Sequence, residues 1–502
     1  MVSYVKPNPV QQTYAESQSD AVAVAGKART QLFIGGRWLY AKNALAFDVV
    51  DPSTARLIAT VADGDVADAI AAIDAAAAAA EPWKATSPRC RSDMLMRCFH
   101  LMTERSDWLA RLISVENGKA LADARSEVAY AVEFFRWYAE EAVRPRGEFG
   151  LAPSGANQII VNQEPIGITV LVTPWNFPAA MATRKIAPAL AAGCTCILKP
   201  AAETPLTALA IGEIMAEAGV PGGVVNVLTS RKAGPVVNAL LHDKRVRKLS
   251  FTGSTGVGRI LLKEAADQVV SCSMELGGNA PFIVFDDADL DVAVAGAMVA
   301  KMRNGGEACT AANRFYVQRG ILEDFTQRLG EEMAGLKVGP GLDPETQLGP
   351  LITKAAMSKV ASLVEDAVAK GARVVTGGSR YDGDGFFYPP TVLADVPADA
   401  ALLNEEIFGP VAPIVAFDTE DEVVRMANDT EYGLVSYVFS RDLKRALAVA
   451  GRIESGMVGI NRGVVSDAAA PFGGMKQSGL GREGSHHGML EYLETKYIAA
   501  GW

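Results

Sequence analysis

Thr195-Cys196-Ile197-Leu198-Lys199-Pro200, then Thr207–Ala218, then Val224-Val225-Asn226-Val227-Leu228 is the stretch that decides the fold. The first and last runs are short and apolar, as buried strands are. The middle run reads as a helix and is closed by Gly219, a common helix stop. Strand, helix, strand at this spacing implies a parallel sheet with helices on both faces. Further strands are expected at Ile168–Val172, Leu249–Thr252 and Pro281–Phe285. Sheets of this kind hold ligands at the carboxyl ends of their strands.

Working outward, a second α/β region is expected. Its strands are Arg314–Gln318, Arg373–Thr376 and Val411–Phe417, with a helix at Met357–Lys370 between them. Gly35-Gly36 reads as a hairpin turn between short strands, and residues 1–30 read as a loose tail. The alanine-rich run Ala67–Ala80 is broken by Asp68 and Asp74, so it reads as an amphipathic helix rather than a membrane span. The run Glu491–Tyr497 alternates and is expected to pair with another strand edge.

With 502 residues, 49% of them hydrophobic, the chain is too long for one ordinary core, and two or three domains are expected. A net charge of -10 argues against a nucleic-acid partner, which needs clustered Lys and Arg. No secretory signal and no membrane segment are read. The six cysteines are scattered, which is not a disulfide framework and fits a reducing cytoplasm. Cys194-Thr195-Cys196 reads as a strand that buries two small side chains. Four histidines without metal-ligand spacing offer no zinc site, so no metal is expected.

Several short motifs carry chemistry. Cys309 follows Asn304-Gly305-Gly306-Glu307-Ala308, where glycines suggest a tight loop that lets a substrate approach the thiol. A nucleophilic thiol needs a helix N-terminus or a nearby positive charge to favour the thiolate. Glu275, in Met274-Glu275-Leu276-Gly277-Gly278, has apolar neighbours whose burial of the carboxyl would raise its pKa toward that of a general base. Asn176 lies between two prolines in Thr173-Pro174-Trp175-Asn176-Phe177-Pro178, at a strand's carboxyl end, where an amide could stabilise an oxyanion. Phe251-Thr252-Gly253-Ser254-Thr255 opens a helix, and backbone N–H groups there suit a phosphate. Lys199 ends a strand within reach of an adenosine ribose. Read singly, each motif has an ordinary structural explanation: a buried thiol, a strand-end glutamate, a turn asparagine, a surface lysine.

Taken in order, these motifs resemble the aldehyde dehydrogenase superfamily, from about Gly35 to Trp502. The matching pieces are Pro174–Pro178, Lys199-Pro200, Gly253-Ser254-Thr255, Glu275–Gly278, the Cys309 loop, Glu405–Pro410 and Pro471–Gly474. The resemblance implies an α/β, aldehyde dehydrogenase-like fold. It has a Rossmann-type dinucleotide domain, an α/β catalytic domain and a small β oligomerisation arm. The expected boundaries are 1–30 for the tail, 31–143 and 166–285 for the NAD(P)-binding domain, 286–482 for the catalytic domain, and 144–165 with 483–502 for the arm. It also implies that Cys309 is the nucleophile, Asn176 an oxyanion donor beside the Cys309 N–H, and Glu275 the base that activates water. Lys185 and Glu483 would position groups or relay protons. Thr173, Trp175, Lys199, Ala202, Glu203, Gly253, Ser254, Glu406 and Phe408 would line the cofactor site. The cofactor is NAD or NADP, and the partner copies make a homodimer or homotetramer.

Within the superfamily the chain is most similar to succinate-semialdehyde dehydrogenases, on the tail Lys476–Ser485 and on Arg184, Arg303 and Ser466. In that subgroup these three positions resemble a clamp for the substrate's distal carboxylate. The expected reaction is oxidation of succinate semialdehyde to succinate. Two alternatives stay open: an enzyme for aromatic or aliphatic aldehydes, and a non-catalytic binding protein on the same fold. Three departures stand out. Glu307 occupies a place where many members carry Gln. Ala311 replaces a second cysteine of some subgroup members. Ala202 stands where NAD-preferring relatives often carry Glu, with Glu203 next to it, so NADP is expected to be accepted.

Overall fold

The computed structural model describes residues 6–7 and 14–501, with side chains from 18 onward. Residues 1–5, 8–13 and Trp502, which fall in the expected tail and arm, lie outside the described residues. Among those described, an eight-stranded sheet is built on five parallel strands. In spatial order they are Ser271–Glu275, Val246–Thr252, Ile168–Val172, Thr195–Lys199 and Val225–Val227. The chain steps outward from 168–172 to 225–227, then returns to lay 246–252 on the other side. The order therefore reverses between Ile168–Val172 and Val246–Thr252, the point where such sheets open a crevice for a ligand.

The two faces of this sheet bury different side chains because successive residues of a strand point opposite ways. Leu171, Cys196 and Leu198 pack into the cluster made with the helices Pro178–Ala192 and Pro205–Glu217. Val170 and Ile197 pack on the opposite side with Ile73 and Ala76 of the helix Val66–Ala85. At one edge, Leu32–Ile34 and Arg37–Leu39 form the hairpin turned by Gly35 and Gly36.

A second sheet of seven strands runs in the order Arg373–Thr376, Thr391–Ala394, Val411–Phe417, Ala312–Gln318, Ala280–Val284, Val435–Phe439 and Met457–Ile460. Only the first of these is antiparallel to its neighbour. A three-stranded antiparallel arm joins Glu148–Leu151, Gln158–Pro165 and Leu493–Ala500. The alternating run at the chain's end thus finds its edge on 158–165.

Three expectations are corrected. The strand read at Pro281–Phe285 does not belong to the first sheet. It pairs with Ala312–Gln318 and Val435–Phe439, and Leu276–Asn279 carries the chain from one sheet to the other. An apolar strand reads alike in either sheet, so its partners decide. Gly479–Leu480, expected with the catalytic domain, instead pairs antiparallel with Ser271–Glu275 of the first sheet. The tail expected over 1–30 contains a helix, Tyr14–Ala25, whose residues Ala21, Val24 and Ala25 share one face and are buried.

The two helices that flank the crevice begin without side-chain caps of their own. Distant glutamates supply them. Glu127 Oε1 accepts from the N–H of Ala179 and Ala180 at 2.8 and 3.3 Å. Glu116 accepts from Leu206 N–H at 2.8 Å and Thr207 N–H at 2.9 Å, and is fully buried. Buried N–H groups left unpaired cost about 1–3 kcal/mol each. Glu116→Ala is therefore expected to destabilise the fold by at least about 2 kcal/mol, read as a lower denaturant midpoint at unchanged slope. A midpoint within error of the parent would remove Glu116 from this capping role.

Candidate active site

Strand ends from both sheets and the loops beside them enclose one cleft of about 290 Å³, lined by Trp175, Asn176, Gly253, Ser254, Cys309, Glu406 and Phe408 among others. Pro174 and Trp175 follow the strand Ile168–Val172, and Gly253 and Ser254 follow Val246–Thr252, so both flank the reversal of strand order. Thr173 is buried and its N–H donates to Lys199 O at 3.2 Å, which ties the two neighbouring strand ends together. Trp175 and Phe408 meet edge to face, centroids 5.4 Å apart. Ser254 caps its own helix through Val257 N–H at 3.4 Å, leaving an exposed helix start at the cleft.

These groups fit a dinucleotide. Lys199 is only 5% exposed and its ammonium has no bonded partner among the described residues. Burial pushes it down to about 8, against the pull of Glu203 and Asp63. A buried ammonium without a bond is a donor awaiting a ligand's oxygen. Glu406 turns one carboxylate oxygen to Gly278 N–H at 3.1 Å, and burial pushes it up to about 7. Nearby, Ala202 is half-buried and Glu203 is exposed.

Glu275 and Cys309 meet where the sheets face each other. Glu275 ends its strand at the carboxyl edge of the first sheet, and Cys309 stands three residues before Ala312 at the amino edge of the second. A Cβ on Gly278 would lie 2.5 Å from Cys309 O, so only glycine lets the two segments pass. Asn304, Gly305 and Gly306 all take positive φ, and a Cβ on Gly306 would strike Gly409 O at 2.3 Å. The tight loop expected before Cys309 is therefore present.

Cys309 is partly open to the cleft. No helix starts at it, since a strand follows. Burial pushes its thiol up to about 12, while Arg184 and Arg303 pull the other way. Glu275 is buried with Oε2 unpaired. Burial, then the neighbouring Glu483, raises its carboxyl well above the ordinary range. Asn176 Nδ2 donates to Glu307 O at 3.0 Å, which aims the amide at the Cys309 loop with one N–H still free.

Arg184, expected at the substrate's carboxylate, lies beside a carboxylate of the protein, and its Nη1 has no hydrogen-bond partner among the described residues. Its Nε lies 2.5 Å from Glu483 Oε2, and its guanidinium stacks 4.2 Å over Phe472. Every residue of its helix is buried, and a guanidinium so enclosed needs a fixed counter-charge. Lys185 Nζ reaches the other Glu483 oxygen at 2.5 Å and Ser250 Oγ at 2.9 Å. Burial works to raise the Glu483 carboxyl, but Arg184 and Lys185 outweigh it and hold it below the ordinary range. Glu483, assigned to the arm by number, is thus 5% exposed at the reacting centre.

Arg303 is different. It is half-buried and forms no ion pair among the described residues. Its Nη1 lies 3.5 Å from Ser466 Oγ, and its guanidinium is 4.9 Å over the Phe177 ring. Arg303 and Ser466 line a cavity of about 500 Å³ with Asp123, Ser126 and Tyr130. Asp123 accepts from Asn304 N–H at 2.9 Å. Residues that no motif pointed to also stand here. Lys119, Glu127 and Asn304 bond around Asn176, from positions 57, 49 and 128 residues away. Only Asn304 had a local signal, in the glycine loop.

A family model described as the aldehyde dehydrogenase family matches residues 38–498. A succinate-semialdehyde dehydrogenase of Paenarthrobacter nicotinovorans is 55% identical over 442 residues, 88% of this chain and 98% of that one. A glutarate-semialdehyde dehydrogenase of Pseudomonas putida is 51% identical over 470 residues, 94% and 97% of the two chains. A crystal structure of an NADP-dependent enzyme of Escherichia coli superposes with a TM-score of 0.94 at 49% identity, covering 95% of this chain and 99% of that one.

Glu307, two residues before Cys309, is buried, and its Oε1 accepts from Ile352 N–H at 3.1 Å. Burial pushes its carboxyl from 4.5 up to about 8. It binds its proton more tightly folded than unfolded, so its contribution to stability is full below about pH 4.5 and is lost as pH rises toward about 8. Glu307→Gln keeps the acceptor and removes the titration. Melting temperatures of variant and parent should therefore diverge in the variant's favour as the pH is raised across that window. A gap that stays constant with pH would mean that Glu307 does not titrate in the fold.

Proposed function

This chain belongs to the aldehyde dehydrogenase family, and from that premise we propose that it oxidises succinate semialdehyde to succinate through a thioester on Cys309. Its reaction is NAD(P)-dependent oxidation of an aldehyde to a carboxylic acid. The thiol of Cys309 loses its proton to the solvent of the cleft, its thiolate adds to the aldehyde carbon, and the resulting oxyanion of the thiohemiacetal is held by the Cys309 N–H and the free N–H of Asn176. No acceptor is bonded to that backbone N–H among the described residues. The chemistry that a bound nicotinamide supplies is hydride acceptance, which turns the thiohemiacetal into a thioester. Glu275 takes a proton from water, the hydroxyl adds to the thioester carbon, and the carbon–sulfur bond breaks to release the acid and restore the thiol. Arg184 and Arg303 provide the positive charge that draws the thiol toward its thiolate.

Lys199, Glu406, Trp175, Phe408 and the helix start at Ser254 would hold the cofactor. NADP is accepted in this reading, because Ala202 brings no carboxylate against a 2′-phosphate and Glu203 is free to turn to solvent. The arm exposes Phe149, Leu151, Tyr497 and Ile498, a surface suited to pairing in a dimer or tetramer. All six cysteines are free, which fits a reducing cytoplasm.

The observation that carries the substrate is Arg303, a half-buried guanidinium with no ion pair among the described residues, beside the Ser466 hydroxyl. A short ω-carboxylate aldehyde supplies the missing counter-charge, and the bidentate geometry of guanidinium fixes its distance from Cys309. The named substrates of the two similar semialdehyde dehydrogenases have this chemistry. Arg184 adds a second guanidinium to this clamp: Glu483 lies beside its Nε, but its Nη1 has no hydrogen-bond partner among the described residues.

Two outcomes are expected. Glu275→Gln, given aldehyde and cofactor, should accumulate an acyl group that mass spectrometry maps to the Cys309 peptide. Normal turnover without that adduct would exclude Glu275 as the base. A lost charge-assisted hydrogen bond costs about 1.5–3 kcal/mol, so Arg303→Ala should lower kcat/KM for succinate semialdehyde by about ten- to a hundredfold. The same variant should leave butyraldehyde nearly unaffected. Equal losses on both aldehydes would assign Arg303 to structure rather than to the carboxylate.

A further inference from the structure

We propose that the buried Lys119–Glu127 ion pair is a positioning device for Asn176, setting the backbone from which the oxyanion-binding amide projects. The proposal rests on the reading of Asn176 given above. Neither residue lines the cleft, and their side chains are 1% and 0% exposed. Lys119 Nζ donates to Glu127 Oε2 at 2.6 Å and to Asn176 O at 2.6 Å, and it sits 4.2 Å over the Phe177 ring. Glu127 Oε1 takes the first N–H groups of the Pro178–Ala192 helix, at Ala179 and Ala180. One ion pair therefore grips the chain at Asn176, at Phe177 and at the helix start just beyond.

The grip is reinforced around it. Asn117 Nδ2 donates to Trp175 O at 3.1 Å, and Asn304 Nδ2 donates to both Asn176 O and Glu307 O at 3.0 Å. Glu307 O is also the acceptor for Asn176 Nδ2. Main chain and side chain of Asn176 are thus both tied, while its Oδ1 is left unpaired. Burying two charges is costly, and apolar residues of similar volume fill such a space at least as stably. What an apolar pair cannot do is direct a bond onto one carbonyl. A displacement of about 1 Å in such a group can cost about a hundredfold in rate.

The test uses a pair of substitutions that removes both charges of the ion pair together. Glu127→Gln keeps an acceptor for the helix start, and Lys119→Met in that background removes the donor to Asn176 O. The double variant should lose about a hundredfold in kcat, with the KM values for succinate semialdehyde and NADP within about twofold of the parent. Adding Asn176→Ala should cost little further, because the amide is already misplaced. Retained kcat overturns the proposal, and so does a full additional loss on Asn176→Ala. If the double variant does not fold, Lys119→Arg gives the same reading: its larger planar head must displace Asn176, so kcat falls while cofactor affinity holds, and an unchanged kcat overturns it. Asn176→Ala alone is the separate control. A parent-like rate there refutes the oxyanion role and the positioning built on it, whereas a large loss there with a parent-like double variant refutes the positioning alone.

Discussion

Buried carboxylates at helix starts are the constraint on which the rest of the centre depends. The Pro178–Ala192 and Pro205–Glu217 helices begin deep in the protein, beyond the reach of water, and neither has a side-chain cap of its own. Their first N–H groups must be satisfied or the helices cannot start there. Glu116 and Glu127 satisfy them from outside. Negative charge is favoured at that end of a helix, and Lys119 pairs with Glu127, whereas burial pushes the Glu116 carboxyl up to about 8. Because the helix at Pro178 starts in a fixed place, the asparagine two residues earlier is in a fixed place too.

The second layer is electrostatic. Four ionisable side chains, Arg184, Lys185, Glu275 and Glu483, are enclosed within one small region, each at 5% exposure or less. Two cations close on Glu483 and keep it charged, while Glu275 has no cation bonded to it and is driven toward its neutral form. Environments that drive two carboxyls apart in this way separate a charged, structural role from a proton-accepting one. A Cβ on Gly473 would lie 3.0 Å from Glu275 Oε1, so that residue's smallness leaves the acid room to move. The centre spans the gap between two sheets, one offering its carboxyl ends and the other its amino ends. Glycines at the crossing allow backbone contacts that any side chain would block.

Much of this was legible along the chain. Strands at 168–172, 195–198 and 373–376 and the hairpin at Gly35-Gly36 follow from short-range pattern and turn chemistry, which act over a few residues. The cleft residues Trp175, Asn176, Ser254, Cys309 and Glu406, and Glu275 beside them, are marked by motifs, because a ligand-binding loop needs particular small and polar residues in local order. Arg184 shows the opposite limit. An arginine on a helix shows its charge in sequence but not its counter-charge, and Glu483 lies 299 residues on. The helix at Tyr14–Ala25 was missed because three small apolar residues make a weak stripe until there is a surface to receive them.

By itself, the sequence determined the alternation of strands and helices, the thiol, acid and amide proposed to carry the chemistry, and the family whose motifs these are. Those properties are local, set by residue type and near spacing. Only the tertiary structure decided which sheet the strand at 280–284 joins, which carboxylate lies beside Arg184 and Lys185, and how Asn176 is held. Each of those outcomes is a pairing between positions far apart in the chain. The energy of a buried charge or an orphan N–H depends on what the fold brings within about 3 Å of it, and no reading of neighbouring residues contains that distance.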